Sequence, residues 1–335
     1  MKVSLGTRLD ELAEEQLVAI LRQAYPTGAH PTEVADDDAA VATIARGSRL
    51  VTSTDLLVEH EDFVLPEFTP YDVGWKTAAV NLSDIAAMGA RPTGLLMTLG
   101  IPRDRTVADL VGWGRGVRDA VATLAPGVSV WGGDLSASRL VISAATSTGE
   151  VEIPVTRAGA EPGDVVAYAG RLGFAAAGLR ILLGERAGDP DLRGLERTGT
   201  IREAIDAQLR PRPPIALGAA AAVAGVHALI DVSDGLARDG ARLARSSGVT
   251  LDLVSGALAG RCADLGWARH TLNIDPWELV MAGGEDYGLL AVFAPDARPP
   301  EGFEVLGAVV ERGEHGVLLS GRPTEYLGFD HFAGR

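Results

Sequence analysis

Six short stretches combine carboxylates with Gly, Ser or Thr: Asp36-Asp37-Asp38, Ser53-Thr54-Asp55, Asn81-Leu82-Ser83-Asp84, Gly132-Gly133-Asp134, Asp231-Val232-Ser233-Asp234-Gly235 and Gly283-Gly284-Glu285-Asp286. Taken singly, each also reads as an ordinary turn or helix cap, because Asp and Gly are the residues such places use. Two of them are set close together. The β-branched runs Asp38 to Ile44 and Arg49 to Thr54 flank Arg46-Gly47-Ser48, a spacing that predicts a hairpin. Strands about 4.8 Å apart would then hold the Asp36 to Asp38 run beside Asp55, where the carboxylates repel unless a cation joins them. Oxygen ligands without a His/Cys cluster favour Mg²⁺ over Zn²⁺. Mg²⁺ binds through one or two carboxylates, waters and substrate phosphate oxygens, so phosphate chemistry is the inference.

Other schemes lack their signatures. There is no HExxH, and Ser233 has no preceding Gly of a nucleophile elbow. Gly132-Gly133 is too short for a dinucleotide fingerprint, and Gly112, Gly114 and Gly116 fall inside a helical pattern, where close packing explains them better. All but two of the 30 basic residues are Arg, and neither Lys2 nor Lys76 follows a Gly-rich phosphate loop, which excludes a P-loop NTPase.

The elements that must position these residues alternate helix and strand. A helix is predicted from Thr7 to Tyr25, with Asp10 completing its cap. Thr69-Pro70 opens another that carries Asp84 and stops at Gly89. A strand from Gly94 to Ile101, a helix from Thr106 to Leu124, a strand from Val128 to Trp131 running into the Gly132-Gly133-Asp134 turn, and a strand from Leu140 to Ser147 follow. The stretch from Gly149 to Pro154 leads into Gly/Pro-rich text and marks a boundary between domains 1–150 and 151–335. Beyond it come strand Val165 to Ala169, helix Phe174 to Leu183, helices from Ile201 and Ile215, strand Ala228 to Val232, helix Leu236 to Ser246 and strand Val249 to Leu253. A helix near Trp277 and strands Tyr287 to Phe293 and Val305 to Val310 close the pattern.

Length and composition agree with a two-domain globular protein. The 335 residues include 41 Gly, 18 Pro and one Cys, with 47% hydrophobic and 22% charged, which is neither disordered nor disulfide-stapled. A net charge of −15 argues against nucleic acid or an anionic membrane as partner. Met1 to Asp10 has no export signal, no stretch is long enough to span a bilayer, and the lone Cys262 suits a reducing cytoplasm.

In this order the motifs resemble the thiamine-monophosphate kinases, a family of the aminoimidazole ribonucleotide synthetase-like superfamily. The likeness spans nearly the whole chain. Its most specific parts are Ser53-Thr54-Asp55, the run Asn81 to Ala90, Thr156-Arg157-Ala158-Gly159-Ala160 with Pro162-Gly163-Asp164, Asp231 to Leu236, Gly283 to Tyr287 and Gly328-Phe329-Asp330-His331-Phe332. The resemblance implies a two-domain α/β and α+β fold, its N-terminal half forming a homodimeric β-barrel that binds ATP and Mg²⁺ and its C-terminal half an α+β domain. It implies ATP-dependent phosphorylation of thiamine monophosphate to thiamine diphosphate, with several Mg²⁺ ions held by Asp38, Thr54, Asp55, Asp84, Asp134, Asp231 and Asp234. By the same resemblance Ser53, Thr54, Gly133, Asp134, Arg157 and Ser233 bind nucleotide. Asp55, Asp134, Arg157 and Asp234 support transfer, and Asp62, Glu285 and Phe329 contact substrate.

The chain departs from the family pattern where Asp36 replaces a Gly, Asp62 a His, and Phe329 a Trp or Tyr. A carboxylate at Asp62 has the right sign to face a cationic thiazolium ring. Two rivals remain: a sister activity on the same fold, such as aminoimidazole ribonucleotide synthetase, and a non-catalytic metal- or nucleotide-binding module. The chain lacks the N-terminal Cys expected of a selenophosphate synthetase and the C-terminal Cys of the hydrogenase-maturation enzyme.

Overall fold

The structure, a computed structural model, describes residues 3–25, 32–34, 41–65, 67–189, 192 and 195–330. Asp36, Asp37, Asp38, His331 and Phe332 lie outside the described residues. Contacts divide the chain into two compact units, one of Met1–Ile85 with Arg91–Glu152, the other of Ala86–Ala90 with Ile153–Arg335.

In the N-terminal unit, α1 (Glu14–Ala24) follows a 3₁₀ turn at Leu9–Glu11. The helix predicted from Thr7 begins only at Glu14. Thr7 instead gives its carbonyl to the Val107 N–H at 2.9 Å, Arg8 bridges Thr106, and the Gln16 side chain accepts the Ala13 N–H at 3.0 Å where the helix does start. Then come β1 (Thr32–Val34), β2 (Val41–Ala42), β3 (Arg49–Val58), α2 (Pro70–Ala87), β4 (Arg91–Ile101), α3 (Val107–Leu124), β5 (Ser129–Ala137) and β6 (Ile142–Val151). Thr69 and Asp72 form a reciprocal cap on α2, the Asp72 carboxylate accepting both the N–H and the hydroxyl of Thr69.

Among the described residues the predicted hairpin is not formed. Arg46-Gly47 turns, but β2 pairs with β1, and β3 pairs antiparallel with β6 over its whole length, Asp55 opposite Ala145. Nor is Gly132-Gly133-Asp134 a turn: β5 carries it on to Ala137, parallel to β4. The resulting sheet has the order β3-β6-β4-β5 and is open, with β3 and β5 as its edges. One face packs on α2 and α3 through buried Leu82, Ile85, Leu95, Met97, Leu99, Leu110, Trp113 and Val117. Gly74 of α2 and Gly116 of α3 let the helices meet closely: a Cβ on either would run into a backbone carbonyl, of Trp113 and Tyr71 respectively. A Cβ on Gly114 would run into the Ala24 Cβ, so Gly114 and Gly116 of α3 serve close packing.

The C-terminal unit holds a seven-stranded mixed sheet, order β13-β12-β9-β11-β7-β10-β8. Its elements are β7 (Val165–Ala169), α4 (Phe174–Ala187), α5 (Gly199–Leu209), α6 (Ile215–Val223), β8 (Ala228–Val232), α7 (Leu236–Ser247), β9 (Thr250–Leu253), α8 (Ser255–Asp264), α9 (Ala268–Thr271), α10 (Pro276–Ala282), β10 (Gly288–Phe293), β11 (Glu304–Val310), β12 (Val317–Leu319) and β13 (Arg322–Pro323). The central strands β7, β8 and β10 are buried almost throughout, and α7, α8 and α10 pack over them around Tyr168, Ile230, Leu243, Leu251 and Met281. Cys262 is a buried thiol in this core, pushed up to about 11 by burial. Among the described residues no helix is long and apolar enough to cross a membrane.

Candidate active site

Strand alternation turns Ser53, Asp55 and Leu57 of β3 toward the helices and leaves Leu50, Thr52, Thr54 and Leu56 on the opposite, exposed side. Under the first set lies a polar strip of α2 at helical spacing, Thr77, Asn81 and Asp84. Thr77 is buried and tied to the Val73 carbonyl and to Ser143, which also accepts the Trp113 indole N–H at 2.8 Å. Asn81, fully buried, donates to the Thr77 carbonyl and accepts the Asp55 N–H, both at 2.9 Å. Ser53 Oγ donates to Asp84 Oδ2 at 2.5 Å. Two carboxylates from elements far apart in sequence thus meet.

The meeting is electrostatically unfavourable as it stands. Burial, then the charge and hydrogen bond of Asp84, then the charge of Asp62, push Asp55 up to about 7. Each of these opposes ionisation. Asp62 closes the turn after β3, its carboxylate accepting the Val58 N–H at 2.8 Å. Thr54 is not part of this group; its hydroxyl donates to the Ala145 carbonyl on the exposed face. Gly133 and Asp134 are on the far edge strand. The register Asp55, Ala145, Met97, Gly133 crosses three strand gaps, about 14 Å. A Cβ on Gly133 would strike the Met97 carbonyl, which is why a Gly stands there.

In the C-terminal unit the end of β8 carries Asp231, buried, and the loop on into α7 carries Ser233 and Asp234, half-buried. Here the negative charge is answered. Asp234 pairs with Arg242 at 2.7 Å, and Arg242 also reaches the buried Asp239 at 2.6 Å. Asp239 takes the Asp234 N–H at 2.8 Å, and burial of its carboxyl pushes it up. Arg238 binds Asp330 at 2.7 Å, and the Phe329 N–H donates to the Asp234 carbonyl at 2.9 Å, tying the C-terminal motif to this loop with the Phe329 ring exposed. Sequence reasoning missed Asp239, Arg238 and Arg242. Their signal was the spacing 234, 238, 242 with 239, which puts both Arg over the acids on one side of α7.

The turn after α10 is held from two sides. The Glu285 N–H donates to the Ser233 carbonyl and the Tyr287 N–H to the Val232 carbonyl, and both residues have left-handed backbone, φ 68° and 51°. The Asp286 carboxylate accepts the Gly173 N–H at 2.5 Å and the Ala175 N–H at 3.2 Å. It thus caps α4, whose own cap position is a Gly with no side chain to offer. Burial pushes Asp286 up to about 7. The Glu285 carboxylate is hydrogen-bonded by the Gln208 side-chain amide. Arg157 is exposed at the start of the unit, its carbonyl accepting from Ser247 Oγ at 2.9 Å.

Residues 36–151 match the family model for the AIR synthase related protein N-terminal domain, and residues 161–319 the model for its C-terminal domain. The thiamine-monophosphate kinase of Mycobacterium tuberculosis is 38% identical over 299 residues, covering 88% of this chain and 84% of that one. The chain belongs to the thiamine-monophosphate kinase family of AIR synthase related proteins. Solved thiamine-monophosphate kinases agree along the whole length: that of Aquifex aeolicus superposes with a TM-score of 0.71 at 31% identity, covering 95% of this chain and all of that one. The structure described as AaThiL complexed with AMPPCP and TMP gives 0.74, again at 31% identity, covering 98% of this chain and 100% of that one. The Escherichia coli hydrogenase-maturation protein HypE shares the fold at 20% identity, with a TM-score of 0.62.

Proposed function

We propose that this chain phosphorylates thiamine monophosphate to thiamine diphosphate with ATP, by direct in-line transfer assisted by Mg²⁺. The observation that carries it is the Asp55–Asp84 pair, two carboxylates held together by Ser53 and Asn81 in a chain of this family. Such a pair suits a hard dication. The donors are all oxygen, and a cation would relieve the repulsion that, after burial, raises Asp55. Among the described residues no three His, Cys, Asp or Glu side chains gather as a metal-holding group. Two carboxylates suffice for Mg²⁺ that also binds phosphate oxygens. Bound there, the ion would neutralise charge on the nucleotide phosphates.

The chain's own groups do the rest. Asn81 and Ser53 orient the two acids. Asp38, Thr54, Asp134, Asp231 and Asp234 belong to the proposed ligand set by family resemblance, with Gly133 and Ser233 at the nucleotide and the Arg157 guanidinium offered to phosphate. Glu285, Phe329 and Asp62 are the proposed substrate contacts. A phosphate monoester with a second pKa of about 6 is largely a dianion at neutral pH, so the attacking oxygen needs no general base.

The proposal includes a homodimer. Leu50, Leu56 and Leu96 are 51%, 55% and 37% exposed on the helix-free face of the open sheet, and a second copy of this chain covering that face would build the dimeric β-barrel. A cytoplasmic setting suits the single buried thiol. The decisive assay mixes the protein with ATP, Mg²⁺ and thiamine monophosphate, aminoimidazole-type substrates being run alongside. Thiamine diphosphate and ADP in equal amounts are expected; ADP without thiamine diphosphate, or a trapped phosphoenzyme, would reject the reaction as written.

A further inference from the structure

We infer that Gln208 is a positioning residue for substrate, acting through Glu285; the inference rests on the kinase reading above. Gln208 is next to last in α5 and only 1% exposed. Its amide N–H donates to the Glu285 carboxylate, while its Oε1 is buried and has no partner among the described residues. A buried acceptor left unpaired is unfavourable, and an apolar side chain of similar length would avoid the penalty. Packing alone therefore does not account for an amide at this position. What the amide supplies is its other half, a donor fixed by the core and aimed at Glu285.

The surroundings of Glu285 show why such a donor matters. The turn's backbone is already bolted to the end of β8 by the Glu285 and Tyr287 N–H groups, and to α4 through the Asp286 carboxylate. Left-handed backbone at a non-Gly residue is unfavourable and persists where the surroundings over-determine it. The backbone fixes where the Glu285 side chain starts, and Gln208 fixes where its carboxylate ends.

Steady-state kinetics of Gln208→Met, Glu285→Ala and the double variant test this. Gln208→Met should raise KM for thiamine monophosphate about tenfold, the scale of a lost hydrogen bond to a charged group, while KM for ATP stays within about twofold. In the Glu285→Ala background the same change should add nothing, and its melting temperature should be equal or higher. A purely structural role would instead move both KM values or act additively. Either result, or an unchanged KM for thiamine monophosphate in Gln208→Met, overturns the inference while leaving the kinase reading intact. A wild type that forms no thiamine diphosphate overturns both. Should Gln208→Met fold poorly, Gln208→Asn keeps the amide but withdraws it by one methylene, and the same selective rise in KM is required of it.

Discussion

The two acidic centres treat like charge in opposite ways. In the N-terminal unit Asp55 sits against Asp84 with Asp62 nearby, and the charges that shift it all push it up. In the C-terminal unit Asp234 and Asp239 are also neighbours, yet Arg242 bridges them, Arg238 stands beside Asp234 and the Asp234 N–H donates to Asp239. In one centre the carboxylates bear on one another; in the other, arginines of the same helix answer the charge. An Asp in a turn motif therefore says little by itself. Whether an Arg answers its charge is decided by residues four and eight positions further on.

The largest expected effect is at the open centre. Asp55→Asn should lower kcat by at least about 100-fold, since it removes a carboxylate proposed to hold the cation that would neutralise the phosphates, and should raise the melting temperature of the metal-free protein by relieving repulsion. A variant that loses stability as well as activity would make the two centres alike. Next comes the closed centre, where Arg242→Ala leaves Asp239 buried without its cation and should cost ~2–4 kcal/mol in denaturant unfolding. Little change there would mean the Arg is ornamental.

A third test uses pH. Asp286 and Asp55 have folded values near 7 against an ordinary 3.8, so both bind protons more tightly folded than unfolded. The stability they contribute is fully present below about pH 4 and is lost as pH rises through about 7, by ~2–4 kcal/mol for a group shifted this far. Metal-free protein should accordingly have a higher urea midpoint at pH 5 than at pH 7.5, and Asp286→Asn should flatten the slope. A midpoint that rises over that interval would contradict it. The smallest effect is expected from Asp62→Asn, which keeps an acceptor for the Val58 N–H and removes only charge. A change in KM for thiamine monophosphate of about two- to fivefold supports its facing the thiazolium, and none at all ends that idea.

What the sequence made legible was local. Strands Val165–Ala169 and Ala228–Val232, the caps at Thr69-Pro70 and Thr106, and the stop at Gly89 follow from short-range pattern and turn chemistry. Long-range pairing was not legible. Arg46-Gly47 does turn, but β3 finds its partner in β6 some ninety residues away, and among the described residues Asp55 meets Asp84 from a helix. Gly132-Gly133 resembles a turn because Gly is common there; the reason for Gly133 is the close approach of Met97 inside the sheet. Asp286 looked like a local cap and caps a helix 111 to 113 residues earlier in the chain. Gln208 carries no motif, and only its burial beside Glu285 reveals it.

The interlocked glycines of α2 and α3 have a reach beyond their own contact. From Gly74 to Asp84 is about 15 Å along the helix axis, so a small tilt at the crossing becomes a larger sweep at the acid. Two hydrogens in place of two methyl groups act as the fulcrum of a lever whose far arm sets how closely one negative charge approaches another.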